Sequence, residues 1–355
     1  MQALEITAGA QARQRILENG FTPELFTSLL GASGGPKWFV LCGLDKILFP
    51  EFLNNSQQHI DIIGSSVGAF RSACFTQQDP SAAIQRLADE YSTTVYSKRP
   101  TVKEVTEKGL DLLKYMLDSD GVQHILHNPQ RSLNIIAARC YGALAKESRL
   151  AQSAGLMKAA LANYRGRQHL TKYVSRVVVS SASSRFEFSD NYGFGNERVE
   201  MSTDNIYASL MASGSIPMVI QGVENLPGAP LGTLRDGGII DYHFDIKIKT
   251  PGLVLYPHFY STPIPGWFDK KLKKRQCAQE NYDNVVMLSP TPEFVSTLPY
   301  GKIPDRKDFS DLAPETRIRY WKTVISDSER LADSFLKQIQ SPDLSKIIQP
   351  IQLAR

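Results

Sequence analysis

Cysteine is scarce in this chain, with four residues among 355. Cys42, Cys74, Cys140 and Cys277 are widely separated and include no Cys-x-x-Cys pair. Structural zinc sites and redox motifs need closely spaced thiols, and small disulfide-rich domains need a denser set. We therefore expect buried, reduced cysteines, with neither a disulfide framework nor a zinc site.

Long apolar runs are missing as well. No segment reaches the roughly 20 apolar residues that span a bilayer. The start of the chain carries Glu5 and no basic residue ahead of an apolar run, so it does not resemble a secretory signal. These absences predict a soluble, cytoplasmic protein with no signal peptide and no transmembrane segment.

The chain has no large excess of charge of either sign. It contains 40 lysine and arginine residues and 36 aspartate and glutamate residues, which gives a net charge of +4. So small an imbalance gives no reason to expect a nucleic-acid partner. Hydrophobic residues make up 42% and charged residues 21% of the chain, which is typical of a globular protein. Because repeats, low-complexity tracts and linkers are missing, we predict one domain over residues 1–355 with its core at about 25–340.

Two successive units of strand, glycine loop and helix stand near the N-terminus. Residues 25–30 are predicted to form a strand that runs into a glycine loop and then a helix over residues 38–52. Residues 60–63 predict a second strand, followed by a second glycine turn and a helix from Ala69. Such a succession is typical of a parallel sheet in an α/β fold, where both loops lie at the carboxyl ends of neighbouring strands.

The second glycine turn reads Gly64-Ser65-Ser66-Val67-Gly68 and matches Gly-x-Ser-x-Gly with Ser66 at its centre. Ser65 does not match, because it lacks glycine two positions away on both sides. A serine on a sharp strand-to-helix turn needs neighbours without side chains, and the helix N-terminus beside it favours negative charge. The pattern predicts a nucleophile elbow with Gly64 and Gly68 as its glycines, and a plain glycine-rich turn is the alternative.

The first glycine loop reads Ser33-Gly34-Gly35-Pro36-Lys37-Trp38. It does not match a phosphate-binding loop, because a proline precedes the lysine and a tryptophan follows it. It fits an oxyanion hole better, since the amides of Gly34 and Gly35 are free of side-chain bulk and can donate to a developing oxyanion. Lys37 either holds this loop electrostatically or is a solvated lysine.

A third motif is Asp236-Gly237-Gly238. An aspartate before two glycines is commonly a turn former. Beside a serine elbow and an oxyanion loop, the same carboxylate can instead accept the serine proton and return it to the leaving group. That role requires Asp236 to lie within hydrogen-bond reach of Ser66.

In this order along the chain, the three motifs resemble those of the patatin-like phospholipase family, as does Ala212-Ser213-Gly214-Ser215-Ile216-Pro217. The resemblance covers roughly residues 26–75 and 207–242. It implies a three-layer sandwich with a central, mostly parallel sheet, an oxyanion hole in the glycine loop and its lysine, and a dyad of Ser66 and Asp236. After the Asp-Gly-Gly motif the chain departs from the family pattern, which usually carries an asparagine and a proline there.

Between the matched parts, residues 81–173 show apolar residues at helical spacing, residues 133–144 among them. We predict a helical insertion here and interpret it as a cap over the sheet. Residues 173–180 predict a strand that returns to the sheet, with 186–188 continuing it as a hairpin. Residues 316–340 predict one closing helix, followed by a weakly ordered tail.

Aromatic residues stand beside a basic cluster in one segment, which contains Trp267, Phe268, Lys270, Lys271, Lys273, Lys274 and Arg275. A membrane-surface contact needs rings that insert at headgroup level and cations that meet anionic lipid. A surface loop with a solvated basic face is the alternative. The pattern leaves a peripheral membrane contact and a plain loop equally open.

Asp241, His243 and Asp245 alternate, and they share one face if this stretch forms a strand. A metal site or a triad histidine is one interpretation, and a half-buried histidine paired with aspartate is the simpler one. Because a Ser-Asp dyad needs no histidine, we expect His243 to be structural and the site to use no metal.

These features together predict a serine acyl hydrolase that cleaves ester bonds of phospholipids or related acyl lipids without a cofactor. Two alternatives stay open. One is a soluble esterase or thioesterase without lipid preference, and the other is an inactive lipid-binding or interaction protein on the same scaffold. The expected partner is an acyl lipid substrate, a peripheral membrane contact stays open, and the sequence identifies no protein partner.

Overall fold

The computed structural model describes residues 2–353 of the chain. The fold is α/β, with a mixed but mostly parallel central sheet flanked by helices in a three-layer arrangement. Within the described residues this sheet contains eleven strands, and two further strands form a separate ribbon. The fold class expected from the sequence is therefore confirmed.

The strands of residues 2–353 are β1 (Leu4–Ala8), β2 (Phe26–Gly31), β3 (Ile60–Ser65), β4 (Arg131–Cys140), β5 (Val174–Ser180), β6 (Glu187–Ser189), β7 (Asn196–Glu200), β8 (Val223–Glu224), β9 (Thr233–Asp236), β10 (Lys247–Lys249), β11 (Leu253–Pro257), β12 (Val285–Pro290) and β13 (Ile348–Pro350). The α-helices of the same residues are α1 (Ala10–Asn19), α2 (Cys42–Ile47), α3 (Val67–Phe75), α4 (Pro80–Thr93), α5 (Val102–Leu117), α6 (Gly121–His127), α7 (Arg149–Arg165), α8 (Ile206–Gly214), α9 (Pro292–Thr297), α10 (Asp308–Asp311), α11 (Pro314–Asp327), α12 (Glu329–Ile339) and α13 (Leu344–Ile347).

The centre of the sheet is parallel. Strands β12, β11, β2, β3 and β4 follow one another as parallel neighbours, and β5 pairs antiparallel with β4. Gly31 at the end of β2 lies opposite Gly64 in β3. The two glycine loops therefore begin side by side at the carboxyl edge of the sheet, as the sequence predicted.

Residues 133–144 do not form the predicted helix. Most of them belong to β4, a central strand between β3 and β5. Nearly every residue of β4 is buried, so its apolar residues form an almost continuous run instead of alternating with polar ones. Such a run also satisfies helical spacing, which explains the wrong prediction. The stretch 81–173 is therefore only partly a helical insertion.

The predicted core limits of residues 25–340 are too narrow. Strand β1 precedes them and β13 follows them, and these two strands pair at one edge of the sheet. Ile351 and Leu353 are buried, so the described part of the tail is packed rather than weakly ordered. Residues 354 and 355 lie outside the described range. The sheet pairing that holds the tail joins opposite ends of the chain, which a local pattern does not reveal.

Two smaller predictions also need correction. The closing helix is two helices, α11 and α12, which meet at Ser328. The Ser328 hydroxyl accepts the Gly43 amide and donates to the Ile325 carbonyl, so the break is anchored to α2. Strand β6 pairs with β10 in the separate ribbon and does not continue β5 as a hairpin.

The interior contains two apolar clusters. The larger fills the space around the sheet, and the smaller packs α7 against the ends of β4 and β5 through residues such as Leu144, Ala159 and Val174. Cys42, Cys74 and Cys140 are buried as free thiols, as expected. Across residues 2–353, no helix combines the length and the apolar character that a bilayer crossing needs.

Candidate functional site

Ser66 occupies the turn between β3 and α3. Its φ of 56° and ψ of −130° form a combination that a non-glycine residue adopts only under strain. A Cβ on Gly64 would lie 2.4 Å from the Gly68 carbonyl oxygen, and a Cβ on Gly68 would lie 1.8 Å from the Gly31 carbonyl oxygen. Glycine is required at these positions because the backbones of β2, β3 and α3 meet at the turn. Gly31 belongs to no sequence motif, although its backbone forms the β2 side of this close approach to Gly68.

The backbone of Ser66 is held from the side by α8. Its amide donates to Ser213 Oγ at 2.9 Å, and the Ser213 hydroxyl donates to the Ile136 carbonyl at 2.7 Å. These bonds tie the strained turn to β4. In the sequence, the segment that contains Ser213 is distinguished only by its resemblance to the patatin-like family. The structure shows that Ser213 contacts the serine turn.

The position of Asp236 follows from the way two strands share one edge of β4. Strand β3 pairs with β4 as far as Ile136, which lies opposite Ser65, and β9 takes over from Ala137, which lies opposite Asp236. Because β3 runs parallel and β9 antiparallel to β4, their carboxyl ends meet. Ser66 Oγ consequently donates to Asp236 Oδ2 at 2.8 Å, across 170 positions of sequence.

The two glycines after Asp236 orient its carboxylate. Oδ1 accepts the Gly238 amide at 2.8 Å, which leaves Oδ2 for Ser66. A Cβ on Gly237 would lie 2.2 Å from the Ile136 carbonyl oxygen, so only glycine fits against β4 there. The Asp-Gly-Gly motif is thus both a turn and the support of the carboxylate.

The surroundings of Asp236 change its basicity. Burial raises the pKa of the Asp236 carboxyl above its usual range, while the charge of Arg306 and the bonds from Ser66 and Gly238 oppose this shift. A carboxylate with a raised pKa is a stronger base than a solvated one. The Ser66 hydroxyl is therefore bonded to a carboxylate whose pKa is raised.

The first glycine loop lies next to this pair. A Cβ on Gly34 would lie 2.6 Å from the Phe259 ring, and Gly35 has a φ of +58°, in the left-handed region that favours glycine. Gly34 lines the same cavity as the serine and the aspartate. The structure thus brings the predicted oxyanion loop to the predicted dyad.

Lys37 anchors the glycine loop and is not a freely solvated lysine. Its Nζ lies 2.6 Å from Asp305 Oδ2, and its side chain is mostly buried. Although partial burial would raise it, bonds from the Lys307 amide and from Lys37 lower the pKa of Asp305 to about 2. Of the two interpretations left open, electrostatic anchoring agrees with the structure.

A cavity of about 350 Å³ opens over Ser66 and Asp236. Aromatic side chains form part of its wall, namely Tyr242, Tyr260 and Trp267. Besides Asp236, the cavity is lined by three cationic residues and one acidic residue. The cationic residues are Lys37, Lys270 and Arg306, and the acidic residue is Asp305. The cavity is therefore suited to a polar or negatively charged group.

Part of the basic segment lies at this cavity rather than on a free surface. Trp267 and Lys270 line it, and Lys270 Nζ lies 4.0 Å from the centroid of the Tyr242 ring. Lys270 is exposed as a whole residue, but partial desolvation of its ammonium beside the cavity wall, assisted by the charge of Arg306, lowers its pKa to about 7. The sequence had grouped these two residues with a membrane contact.

The remainder of the segment is divided between the interior and the surface. Phe268 packs against the smaller apolar cluster. Arg275 contacts the buried carboxylate of Asp269 and donates to the Asn163 carbonyl. Three exposed lysines are left for a surface contact, namely Lys271, Lys273 and Lys274.

A second, apolar cavity of about 70 Å³ meets the first at Ser66. Its lining includes Phe70, Leu112 and Met211, from α3, α5 and α8. The serine thus stands where an apolar space joins a polar one.

Arg306 is a cavity residue that the sequence did not reveal. It lines both cavities, and its Nη2 would lie 3.3 Å from a Cβ on Gly35. Among the residues that the structure describes, no carboxylate forms an ion pair with it. The run Asp305-Arg306-Lys307 is typical of a solvated loop, so no local pattern distinguishes this arginine.

Asp241, His243 and Asp245 do not share a strand face. Asp241 forms a buried ion pair with Arg176, and Asp245 accepts the Tyr192 hydroxyl. His243 Nδ1 accepts the Ile264 amide at 2.8 Å. In the described part of the chain, no cluster of histidine, cysteine or acidic residues is arranged to hold a metal ion. The alternating charges therefore have separate structural partners.

Comparison of the chain with protein-family models and with curated proteins finds no match.

Proposed function

We propose that this chain is a serine acyl hydrolase of the patatin-like type. The observation that carries the proposal is the 2.8 Å hydrogen bond from Ser66 Oγ to Asp236 Oδ2, made from a strained strand-to-helix turn at a cavity wall. A hydroxyl bonded to a carboxylate of raised pKa is the arrangement that a nucleophile and its general base need.

In the proposed reaction, the Ser66 oxygen attacks the ester carbonyl carbon while its proton passes to Asp236. The carbonyl oxygen becomes negative and is stabilised by the amides of Gly34 and Gly35 and by the N-terminus of α3. The intermediate then breaks the bond to the leaving alcohol, which takes the proton from Asp236. Water attacks the acyl-serine and gives a proton to Asp236, which returns it to Ser66 as the carboxylic acid leaves.

The two cavities support an amphiphilic ester as substrate, such as a phospholipid or a related acyl lipid. The first carbons of an acyl chain fit the apolar cavity of about 70 Å³ lined by Phe70, Leu112 and Met211. The polar or charged part of the molecule fits the larger cavity, beside Lys270 and Arg306. The scissile carbonyl then lies at the junction, next to Ser66. We further propose a cytoplasmic protein that touches membranes peripherally, consistent with the free thiols and the three exposed lysines.

Labelling with a fluorophosphonate probe tests the proposal. Wild type and Ser65→Ala are expected to label, whereas Ser66→Ala is expected to stay unlabelled and Asp236→Asn to label far more slowly. Ser65→Ala is the matched control, because Ser65 is the adjacent buried serine and its hydroxyl bonds to Ser33 rather than to the aspartate. Folded wild type that fails to label would leave the inactive binding protein as the better interpretation. Labelling without turnover of phospholipid would favour the soluble esterase or thioesterase.

Replacing Gly34 by alanine is expected to lower turnover by about 10²–10³-fold, because the added methyl group displaces the loop from the Phe259 ring and misaligns an oxyanion donor. The measurement is kcat on a short-chain ester, with circular dichroism to show that the fold persists. Gly193→Ala serves as a control, since a Cβ there meets nothing within 4 Å; its φ of +75° is left-handed, whereas the φ of 176° at Gly34 is extended. Unchanged turnover in Gly34→Ala would remove the loop from the mechanism.

The pH dependence of the reaction is expected to move when Arg306 is replaced by glutamine. The Arg306 charge opposes the rise in the pKa of Asp236, so its loss raises that pKa further. Because the general base must be ionised, the acid limb of the pH profile for kcat on a neutral ester should shift to higher pH. Lys307→Gln removes an adjacent exposed charge outside the cavity and should leave the limb in place. A shift to lower pH in Arg306→Gln would contradict this assignment.

A further inference from the structure

Helix α7 exposes a row of apolar side chains. Leu150, Met157, Leu161 and Tyr164 have exposed fractions of 87, 66, 57 and 70%, and exposed Ala154 lies between them. Their spacing of three or four residues places all five on one face of the helix. Single exposed apolar residues are ordinary on protein surfaces, but a continuous row of this kind indicates a binding face.

The row cannot turn inward, because the opposite face of α7 is firmly packed. A Cβ on Gly155 would lie 2.5 Å from the Leu144 amide nitrogen, so the helix backbone touches the preceding segment. The buried Gln152 side chain donates to the Lys146 carbonyl. Exposure of the row is therefore a permanent feature of the fold.

Both ends of α7 are bonded to chain segments that line the polar cavity. Near the N-terminus, Gln152 Oε1 accepts the amide of Met218, the residue after Pro217 in the cavity wall. Near the C-terminus, the buried Asn163 amide donates to Asp269 at 2.7 Å, next to Lys270 in the wall. The helix therefore runs beside the cavity that contains Ser66.

The surroundings of the row are cationic. Exposed cations lie on α7 and on the neighbouring loop, namely Arg149, Lys158, Arg165, Lys271, Lys273 and Lys274. Residues 143–173 and 266–276 contain just two acids, Glu147 and Asp269. Each acid is paired with an arginine, Glu147 with Arg235 and Asp269 with Arg167. Positive charge is therefore in excess within these two segments.

We propose that α7 and residues 271–274 form a docking face for an anionic lipid bilayer, which holds the mouth of the polar cavity at the membrane surface. Apolar side chains enter the interface between headgroups and acyl chains, and the flanking cations meet the negative lipid charge. A second copy of the chain fits less well, because a symmetric contact would bring like charges together. The purpose of this docking, access to a lipid ester, rests on the proposed function.

Vesicle flotation with the full-length Ser66→Ala protein tests the docking face, because this variant leaves the lipid intact. Binding is expected on vesicles of phosphatidylcholine mixed with phosphatidylglycerol and not on phosphatidylcholine alone. Two triple variants are each expected to lower the partition coefficient about tenfold or more. They are Leu150→Gln/Met157→Gln/Leu161→Gln and Lys271→Gln/Lys273→Gln/Lys274→Gln.

Matched controls replace three exposed apolar residues or three exposed lysines elsewhere on the surface. Leu17→Gln/Val95→Gln/Tyr115→Gln and Lys98→Gln/Lys322→Gln/Lys337→Gln are expected to bind vesicles like the parent, and melting curves establish that all variants fold. Equal binding by the α7 variant and its control, or no binding to anionic vesicles, would overturn the proposal. So would concentration-dependent dimerisation that the α7 variant abolishes.

Turnover of a soluble short-chain ester separates this inference from the proposed function. With Ser66 restored, both triple variants should turn over this ester at the wild-type rate while losing activity on anionic vesicles. If the wild type shows no turnover, the proposed hydrolase activity fails, yet the flotation result still decides whether α7 docks on lipid.

Discussion

Asp236→Asn is expected to lower turnover of a short-chain ester by about 10²–10⁴-fold while the protein stays folded. The asparagine carbonyl can still accept the Gly238 amide. Its amide group, however, cannot take the Ser66 proton, so the nucleophile loses its base. Steady-state kcat, with quantified active protein, measures the loss. Turnover close to that of wild type would show that Asp236 is a turn residue and not the general base.

The same substitution is expected to stabilise the protein at neutral pH. Burial raises the folded-state pKa of Asp236 above its unfolded value, so any stability that the group contributes is present below the unfolded pKa and is lost as pH rises through the folded pKa. Above that pKa the buried carboxylate is ionised at a cost, which asparagine removes. The melting temperature of Asp236→Asn, measured relative to that of wild type, should therefore increase as pH rises.

Asp305→Asn provides a control in which the change in melting temperature is expected to have the opposite sign. The pKa of Asp305 is lowered to about 2, so its stabilising effect is present above the unfolded pKa and is lost as pH falls. At neutral pH the asparagine variant should melt below wild type, since the bond to Lys37 is weakened. If both variants shifted in the same direction, the assigned environments would be wrong.

Gly68→Ala is expected to lower the free energy of unfolding by about 3 kcal/mol or more. The added Cβ would lie 1.8 Å from the Gly31 carbonyl oxygen, and both neighbours are backbone that cannot move without separating β2 from α3. The same shift would displace Ser66, so labelling by the fluorophosphonate should also fall. Chemical denaturation followed by fluorescence measures the stability.

Gly109→Ala is the matched control, because Gly109 also lies inside a helix. A Cβ there would lie 3.5 Å from Met211 Cε, an ordinary contact. Alanine should therefore stabilise α5 by about 0.5–1 kcal/mol through its higher helix propensity. Equal stabilities for Gly68→Ala and wild type would show that the close approach of β2 and α3 is not rigid.

The motifs around Ser66 could be predicted because their physics is local. Gly64, Ser66 and Gly68 are neighbours in the chain, and a strand, a sharp turn and a helix impose their requirements within a few residues. The adjacency of the two glycine loops followed from the general behaviour of parallel strands. These predictions needed no knowledge of distant contacts.

The errors arose where distant contacts decide the structure. Residues 133–144 were predicted as helix because a strand buried on both faces carries no alternation. Arg306 was missed because its neighbours Asp305 and Lys307 suggest a solvated loop. Trp267 and Lys270 were assigned to a membrane surface because an aromatic-basic pattern is the same whether its side chains face lipid or line a cavity.

The sequence by itself determined the α/β class, the strained serine turn, and the glycine loop beside it, because each depends on residues close together in the chain. Only the tertiary structure decided that Asp236 reaches Ser66, since that contact arises where β3 and β9 share one edge of β4. It also decided that Arg306 faces the cavity and that α7 leaves an apolar row in water. Such features depend on the pairing and packing of segments far apart in the chain, which no local pattern encodes.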